Sequence, residues 1–213
     1  MLTLIKREIQ DHKIYFVMAF VLSIIFSVSI IAQIYKGENE ELMFLLPFSE
    51  IVLAVITIIG ICGLGASQMH TDKNRKISAF LLTLPVTRSR IFAARVLTGI
   101  LALLLLLTPP AVTINIVLAG LGQQEATYKY FTVEIFSSLF LMSLGIYCTG
   151  LLCSLYKSRL SATPTLLGLI LSIFLLSLIV IKGFGIEASI IMFFYTASCL
   201  TFSWLKFNSA AFI

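Results

Sequence analysis

Long apolar stretches separated by short polar segments dominate the hydropathy pattern of this chain. The six stretches are 14–34, 51–68, 91–118, 133–155, 163–181 and 188–205. A helix needs about 20 residues to cross a hydrocarbon core of about 30 Å, which is close to these lengths. Membrane strands alternate polar and apolar residues, whereas these runs are continuously apolar. The pattern predicts an all-α integral membrane fold with six transmembrane helices, in a single domain over residues 1–213.

Composition supports a lipid environment. The chain is 59% hydrophobic and 12% charged, with a mean hydropathy of +1.05. A water-soluble fold could not bury that much apolar surface, so we expect lipid to be the solvent. The first stretch is too long for a typical signal-peptide core, and no clear small-x-small cleavage site follows Ile34. We therefore expect the first stretch to be a retained anchor.

Basic residues are sorted by the side of the apolar stretches on which they fall. Of the fifteen Lys and Arg residues, only Lys36, Lys129 and Lys182 lie on one side, and the other twelve lie opposite. Positive residues stay in the cytoplasm during insertion, so both termini and the loop 69–90 are predicted to be cytoplasmic, in the cell (plasma) membrane. The net charge of +5 then reflects inner loops that face anionic lipid, and membrane lipid rather than nucleic acid is the expected partner.

The N-terminal segment has a helical apolar pattern. Leu2, Ile5 and Ile9 recur at helical spacing, while charged residues occupy the other faces. This predicts a short interfacial helix before the chain enters the bilayer. The alternative is a polar leader that only orients the first span.

Small residues mark the second apolar stretch. Gly63 and Ser67 are four residues apart and so lie on one helical face. Small residues let helices approach closely in lipid, which predicts a helix-packing face. The alternative is that glycine is simply common in membrane helices.

Two prolines lie deep in the third apolar stretch. Pro109 and Pro110 each remove a backbone hydrogen bond, so a helix bend is expected near Thr108. Thr108 and Asn115 are candidates to satisfy the groups that are released. The bend is either a hinge or pathway wall, or a static kink that shapes the bundle.

Sequence motifs for chemistry are missing. There is no Gly-x-x-x-x-Gly-Lys-Ser/Thr phosphate loop, no His-Glu-x-x-His and no Gly-x-Ser-x-Gly, so we expect no catalytic, cofactor or metal residues and no enzyme activity in this chain. The spans hold almost no ionisable side chains; Glu50 and Glu134 lie near the outer ends, and Arg95 groups with the inner basic loop. A self-contained secondary carrier is one functional alternative. This chain, however, lacks the charges near the membrane midplane that ion coupling uses.

The inner loop between the second and third stretches predicts an amphipathic helix. Its apolar residues fall at i, i+3, i+4 and i+7 after a basic start, and they are Ile77, Phe80, Leu81 and Leu84. Pro85 ends the helix, because the residue before a proline avoids helical geometry. Such a helix can lie on lipid or fill a groove of a soluble partner, and the pattern alone leaves both uses open.

The stretch Asp72–Leu97, with Phe80–Arg88 (FLLTLPVTR) at its centre, resembles the signature loop of type-2 ABC exporter permeases. Members of that family commonly carry Leu-Leu-Ser-Leu-Pro-Val-Ser/Thr-Arg between the second and third of six spans, after an interfacial N-terminal helix. The layout matches over the full chain, while the motif covers about 20 residues. Asp72 supplies the acidic residue found upstream in many relatives, but Lys76 and Ile77 stand where Gly-Thr is common. That departure leaves the substrate class open.

The resemblance implies partners and site residues. It implies that the loop is a cytoplasmic coupling helix between spans two and three, which docks a separate ABC ATPase subunit through Ile77, Phe80, Leu81 and Leu84. It also implies that ATP and Mg are bound by that partner, that Arg88 and Arg90 are membrane-edge anchors, and that a second permease subunit, identical or different, completes a dimer.

The expected function is therefore that of the membrane-spanning permease of an ABC exporter. A charge-poor path favours a hydrophobic or amphipathic substrate, such as a peptide, drug or lipid. The alternative is a non-transporting membrane immunity or sensor protein whose basic loop lies on lipid.

Overall fold

The structure is a computed structural model that describes residues 2–35, 55–68, 87–120, 126–155 and 186–208. The predicted docking residues lie outside the described ranges; they are Ile77, Phe80, Leu81 and Leu84. The predicted fifth span, 163–181, also lies outside them. The coupling helix and the six-span count therefore stay predictions.

Every described segment is helical. The elements are α1 (Leu2–Asp11), α2 (Lys13–Tyr35), α3 (Val55–Gln68), α4 (Arg88–Gly120), α5 (Ala126–Leu155) and α6 (Ile186–Asn208). The predicted N-terminal helix is thus present as α1, and its location in the membrane interface stays a prediction. His12 separates α1 from α2.

Four of these helices are long and apolar enough to cross a membrane: α2, α4, α5 and α6. α3 is apolar but shorter, and the first residues of its predicted span, 51–54, lie outside the described ranges. This part of the all-α membrane prediction is confirmed.

The helices extend beyond the apolar stretches. α4 continues to Gly120 and α5 begins at Ala126, ahead of the apolar stretch that starts at Val133. The connection implied by the predicted stretches 91–118 and 133–155 is therefore too long at both ends. Residues such as Ala126 and Lys129 are compatible with a helix in water, so hydropathy marks the lipid-exposed length rather than the helix length.

α4 is the central helix of the described bundle, because it packs against α1, α2, α5 and α6. Its buried apolar residues join those of α3, α5 and α6 in one core. At the middle of this core, Leu103 of α4 and Ile146 of α5 are each 1% exposed. By contrast, α2 presents most of its apolar side chains outwards, including Val17 and Val28. Lipid is the solvent compatible with that surface.

α3 and α5 approach each other at glycines. A Cβ placed on Gly65 would lie 2.5 Å from the Tyr147 carbonyl oxygen, and one on Gly150 would collide with the backbone of Cys62. The predicted face of Gly63 and Ser67 packs elsewhere, near the start of α2, where the Gly63 Cβ position lies 3.8 Å from the Tyr15 ring. Small residues therefore serve two helix contacts of α3, and the closer one is at Gly65.

Both prolines lie inside α4, which continues through them. The carbonyls of residues 105 and 106 are the ones that lose their usual donors at Pro109 and Pro110. Thr108 instead donates to the Leu104 carbonyl, and Asn115 donates to that of Ala111. The expectation that these two side chains would satisfy the released groups is therefore wrong, while the bend itself stays a prediction.

Candidate functional site: a polar junction at one end of the bundle

Five polar side chains from four helices and one connection meet at one end of the bundle. They are Glu8 of α1, His12 between α1 and α2, Gln68 at the end of α3, Arg95 near the start of α4 and Tyr147 of α5, and we call them the polar junction. All five lie near helix ends that the charge pattern predicts to be cytoplasmic. The junction therefore borders the two ends of the predicted docking loop, because Gln68 precedes that loop and Arg95 follows it.

Arg95 is the most deeply buried charge of the junction. Its side chain is 1% exposed, and Nε lies 3.4 Å from Glu8 Oε1. On the other side, its guanidinium lies 5.4 Å from the ring centroid of Phe207, near the end of α6. The ring of Phe92 packs on the ring of Phe207, with 5.7 Å between their centroids. An arginine held between a carboxylate and an aromatic face is compensated by both contacts, and it ties α1, α4 and α6 together.

Glu8 also contacts His12. Its second oxygen, Oε2, lies 3.8 Å from His12 Nε2, while the other nitrogen of the ring, Nδ1, lies 3.5 Å from Ser67 Oγ of α3. The His12 side chain is 6% exposed. One carboxylate thus contacts a cationic side chain from α4 and an imidazole that reaches α3.

Tyr147 fixes the other side of the junction. Its Oη lies 2.6 Å from the Gln68 side-chain oxygen and 2.9 Å from the Arg95 carbonyl oxygen. One hydroxyl hydrogen cannot serve two acceptors, whereas an amide rotated by 180° would place Gln68 Nε2 as a donor to Oη. We assign that orientation, because it lets Tyr147 donate to Arg95 and gives the buried Nε2 a partner. The tyrosine then joins α3, α4 and α5.

Space for the Tyr147 ring comes from Gly99 of α4. A Cβ at Gly99 would lie 2.6 Å from two ring carbons, which is far closer than real contacts allow. The glycine is therefore a steric requirement for the position of the tyrosine.

The two predicted membrane-edge anchors behave differently. Arg88 begins α4, and its Nη1 donates to the Asn208 carbonyl oxygen at 3.4 Å. Arg90, two residues further along α4, is exposed. Arg88 thus has a specific role in holding the end of α6, and anchoring at the membrane edge stays a prediction for both.

Sequence reasoning missed the junction because it grouped Arg95 with the inner loop. Arg95 belongs to α4 and is fully buried, so the view that the spans hold almost no ionisable groups needs this correction. A usable signal was present: Glu8 and His12 are four residues apart on one helical face, and Gln68 and Tyr147 interrupt apolar runs. No sequence pattern predicted that Glu8 would pair with Arg95.

A second feature lies between α4 and α5, near the prolines. It is an open groove of about 370 Å³ whose lining is mostly apolar, with Leu104, Leu107, Phe136 and Phe140 as the large residues. Thr108, Asn115 and Ser137 add polar atoms at its wall. Such a surface suits acyl chains or another apolar molecule.

The described helices and their buried polar junction are those of an α-helical membrane protein. Comparison with protein-family models, curated proteins and solved structures found no match for this chain.

Proposed function

We propose that this chain is the membrane-spanning permease subunit of an ABC exporter, driven by ATP that a separate ATPase subunit hydrolyses. The observation that carries the proposal is the loop sequence around Phe80–Arg88, which resembles the family's signature loop and overlaps an amphipathic stripe. The chain itself is not expected to be an enzyme, and ATP and Mg belong to the partner.

The junction supports the proposal physically. Force applied to a cytoplasmic loop does work on a bundle only if the loop's ends are firmly held. Gln68 and Arg95 flank the loop, and both are buried and contact Tyr147. A displacement of the loop would therefore be passed to α3, α4 and α5 together.

The proposed setting follows the charge pattern. The chain lies in the cell membrane with both termini and the loop 69–90 in the cytoplasm, where the ATPase is available. A second permease subunit, identical or different, completes the transporter.

A hydrophobic or amphipathic cargo is proposed from the chemistry of the spans. The groove between α4 and α5 supports this choice, since its large lining residues are apolar. A peptide, a drug-like compound or a lipid would each be compatible with such a lining.

The test is co-purification with the ATPase. The tagged chain is isolated from its native cells in mild detergent, and bound proteins that contain a phosphate loop are identified by mass spectrometry. We expect an ABC ATPase with the parent chain, and its loss with Phe80→Asp, because a carboxylate on the apolar stripe opposes docking. Ser78→Asp adds the same charge off the stripe and should retain the ATPase.

Two outcomes would contradict the proposal at different levels. Retention of the ATPase by Phe80→Asp would overturn the assignment of the docking helix. A parent chain that binds no ABC ATPase would overturn the transporter function and favour the immunity or sensor alternative.

A further inference from the structure

The groove between α4 and α5 has the length of one leaflet of a bilayer. Its lining runs from Leu104 to Asn115 along α4, and from Phe140 back to Val133 along α5. Eleven residues of helix correspond to about 16 Å at a rise of about 1.5 Å per residue. The hydrocarbon core is about 30 Å thick, so one leaflet contributes about 15 Å.

The two ends of the groove also lie at the right depths for a leaflet. Val133 is the first residue of the predicted span 133–155, and Asn115 is three residues from the end of the predicted span 91–118. Leu104, at the other end, is at the middle of the span 91–118. The groove therefore runs from the membrane surface to the midplane, in the half of the bundle away from the polar junction. With the predicted orientation of the chain, this half is the outer leaflet.

The volume of the groove favours a thin occupant. It encloses about 370 Å³ between apolar walls, and Leu104 and Val133 on those walls are 44% and 64% exposed. A helix is about 10–12 Å across with its side chains, so a 16 Å length of helix would occupy more than about 1,000 Å³. A helix of a second copy would therefore lie mainly outside the groove. One extended hydrocarbon chain, about 4 Å thick by carbon contact distances, would lie inside it.

The surface end of the groove is polar, unlike the midplane end. The Asn115 amide donates one hydrogen to the Ala111 carbonyl oxygen at 2.8 Å. An amide has a second hydrogen and an oxygen, both suited to a lipid headgroup. At the midplane end, the Thr108 hydroxyl donates to the Leu104 carbonyl oxygen within α4, so this polar side chain is compatible with an apolar ligand.

A basic position lies one helical turn beyond the polar end. Lys129 precedes Val133 by four residues in α5, which places the two positions on one helical face. Glu134 follows Val133 and is about 100° further round the helix, on another face. A phosphate at the level of Lys129 would have the opposite charge to this lysine. An apolar end at the midplane and a basic, hydrogen-bonding end at the surface match a phospholipid in polarity and charge.

We infer that the groove is a binding site for one acyl chain of an outer-leaflet phospholipid. The headgroup lies beside Asn115, and the end of the chain lies beside Leu104 and Phe140. This site depends on the groove and its position in the membrane, and it does not require the transporter function. Lipid binding and ATPase docking can therefore each fail without the other.

The first test compares a variant in the groove with a matched variant beside it. Ala111→Phe adds a ring to the lining, whereas Val112→Phe adds the same ring at the next position of α4, which is 55% exposed and outside the lining. Each full-length chain is reconstituted in nanodiscs of phosphatidylethanolamine and phosphatidylglycerol, transferred to mild detergent and examined by native mass spectrometry. We expect the parent chain to retain one phospholipid, and Ala111→Phe to bind it about tenfold less, because the ring excludes the acyl chain. Val112→Phe should bind as the parent does.

Three results of this test would overturn the inference. The parent chain would retain no phospholipid, or the two variants would lose it equally. In the third, Ala111→Phe would separate a dimer into monomers and leave the lipid bound, which would identify a second copy as the occupant.

A second measurement uses the parent chain and so does not depend on the folding of a variant. One equivalent of a phosphatidylcholine with a photoreactive diazirine is added to the delipidated chain in detergent, and the labelled residues are mapped by mass spectrometry. A diazirine at the end of the acyl chain should label Leu104 and Phe140, and one next to the headgroup should label Asn115 and Val133. Labelling spread along the exposed face of α2, or the same residues labelled by both probes, would overturn the site.

Discussion

The Glu8 carboxylate lies 3.4 Å from Arg95 Nε and joins α1 to α4 across 87 positions of sequence. α1 has no buried residues of its own, and its first apolar residue, Leu2, is 83% exposed. Leu4, Ile5 and Ile9 of this helix are partly buried, so apolar packing contributes to its attachment. The ion pair adds a specific contact with α4.

Arg95→Met should destabilise the protein by about 3–5 kcal/mol, because it leaves the Glu8 carboxylate without its buried cation. Glu8→Gln should also be costly, since it leaves the guanidinium in an apolar setting. The double variant should cost less than the sum of the two by about 0.5–3 kcal/mol. Denaturant unfolding of the purified chain in detergent gives the four free energies of the cycle. If the free-energy changes of the two single variants simply added in the double variant, the result would contradict a direct interaction between Glu8 and Arg95.

Tyr147→Phe should lower stability by about 1–3 kcal/mol, because the buried Gln68 amide and Arg95 carbonyl lose their shared partner. Tyr15→Phe is the matched control: it removes the same hydroxyl from a half-buried ring for which the described residues offer no hydrogen bond. Thermal unfolding should show a drop of a few degrees for the first and little change for the second. Equal effects would mean that the hydrogen bonds of Tyr147 contribute nothing specific.

The sequence predicted helices well because lipid imposes a simple rule. A chain in hydrocarbon must satisfy its backbone internally, so long apolar runs become helices wherever they occur. The bounds of α2 show this, since Lys13–Tyr35 differs from the predicted 14–34 by one residue at each end. The rule does not apply where the chain leaves the apolar region. The start of α5 at Ala126, ahead of Val133, was therefore not predicted.

The polar junction could not be predicted in the same way. Its contacts join residues far apart in sequence, such as Gln68 and Tyr147, and no periodicity encodes which helices are neighbours. Single polar residues in apolar runs indicate that partners must exist, because an unsatisfied group in lipid is costly. They do not identify those partners. The predicted docking helix poses a different question, since its residues lie outside the described ranges and only binding to an ATPase tests it.

Gly65→Ala should destabilise the protein by about 1–3 kcal/mol, whereas Gly63→Ala should be neutral or slightly stabilising. The added methyl at Gly65 would meet the Tyr147 carbonyl at 2.5 Å, and backbone cannot move aside without separating α3 from α5. At Gly63 the nearest atom belongs to the Tyr15 ring at 3.8 Å, an ordinary contact. Both changes gain the same helix propensity, so the difference between their unfolding free energies isolates the close helix approach. Equal values would contradict that approach.

Arg88→Ala should loosen the end of α6, whereas Arg90→Ala should not. The last carbonyls of a helix have no partner within it, and a cation that donates to one of them also interacts favourably with the helix dipole. Arg88 does so at Asn208, while Arg90 is exposed at the same end of α4. The loss is expected to be about 1 kcal/mol or less, which is small for the whole protein but large for a terminal turn. Hydrogen exchange of the amides at 205–208 should therefore accelerate several-fold in Arg88→Ala alone. Equal acceleration in both variants would indicate a general effect of basic charge at the membrane edge, and unchanged exchange in Arg88→Ala would show that this contact does not hold α6.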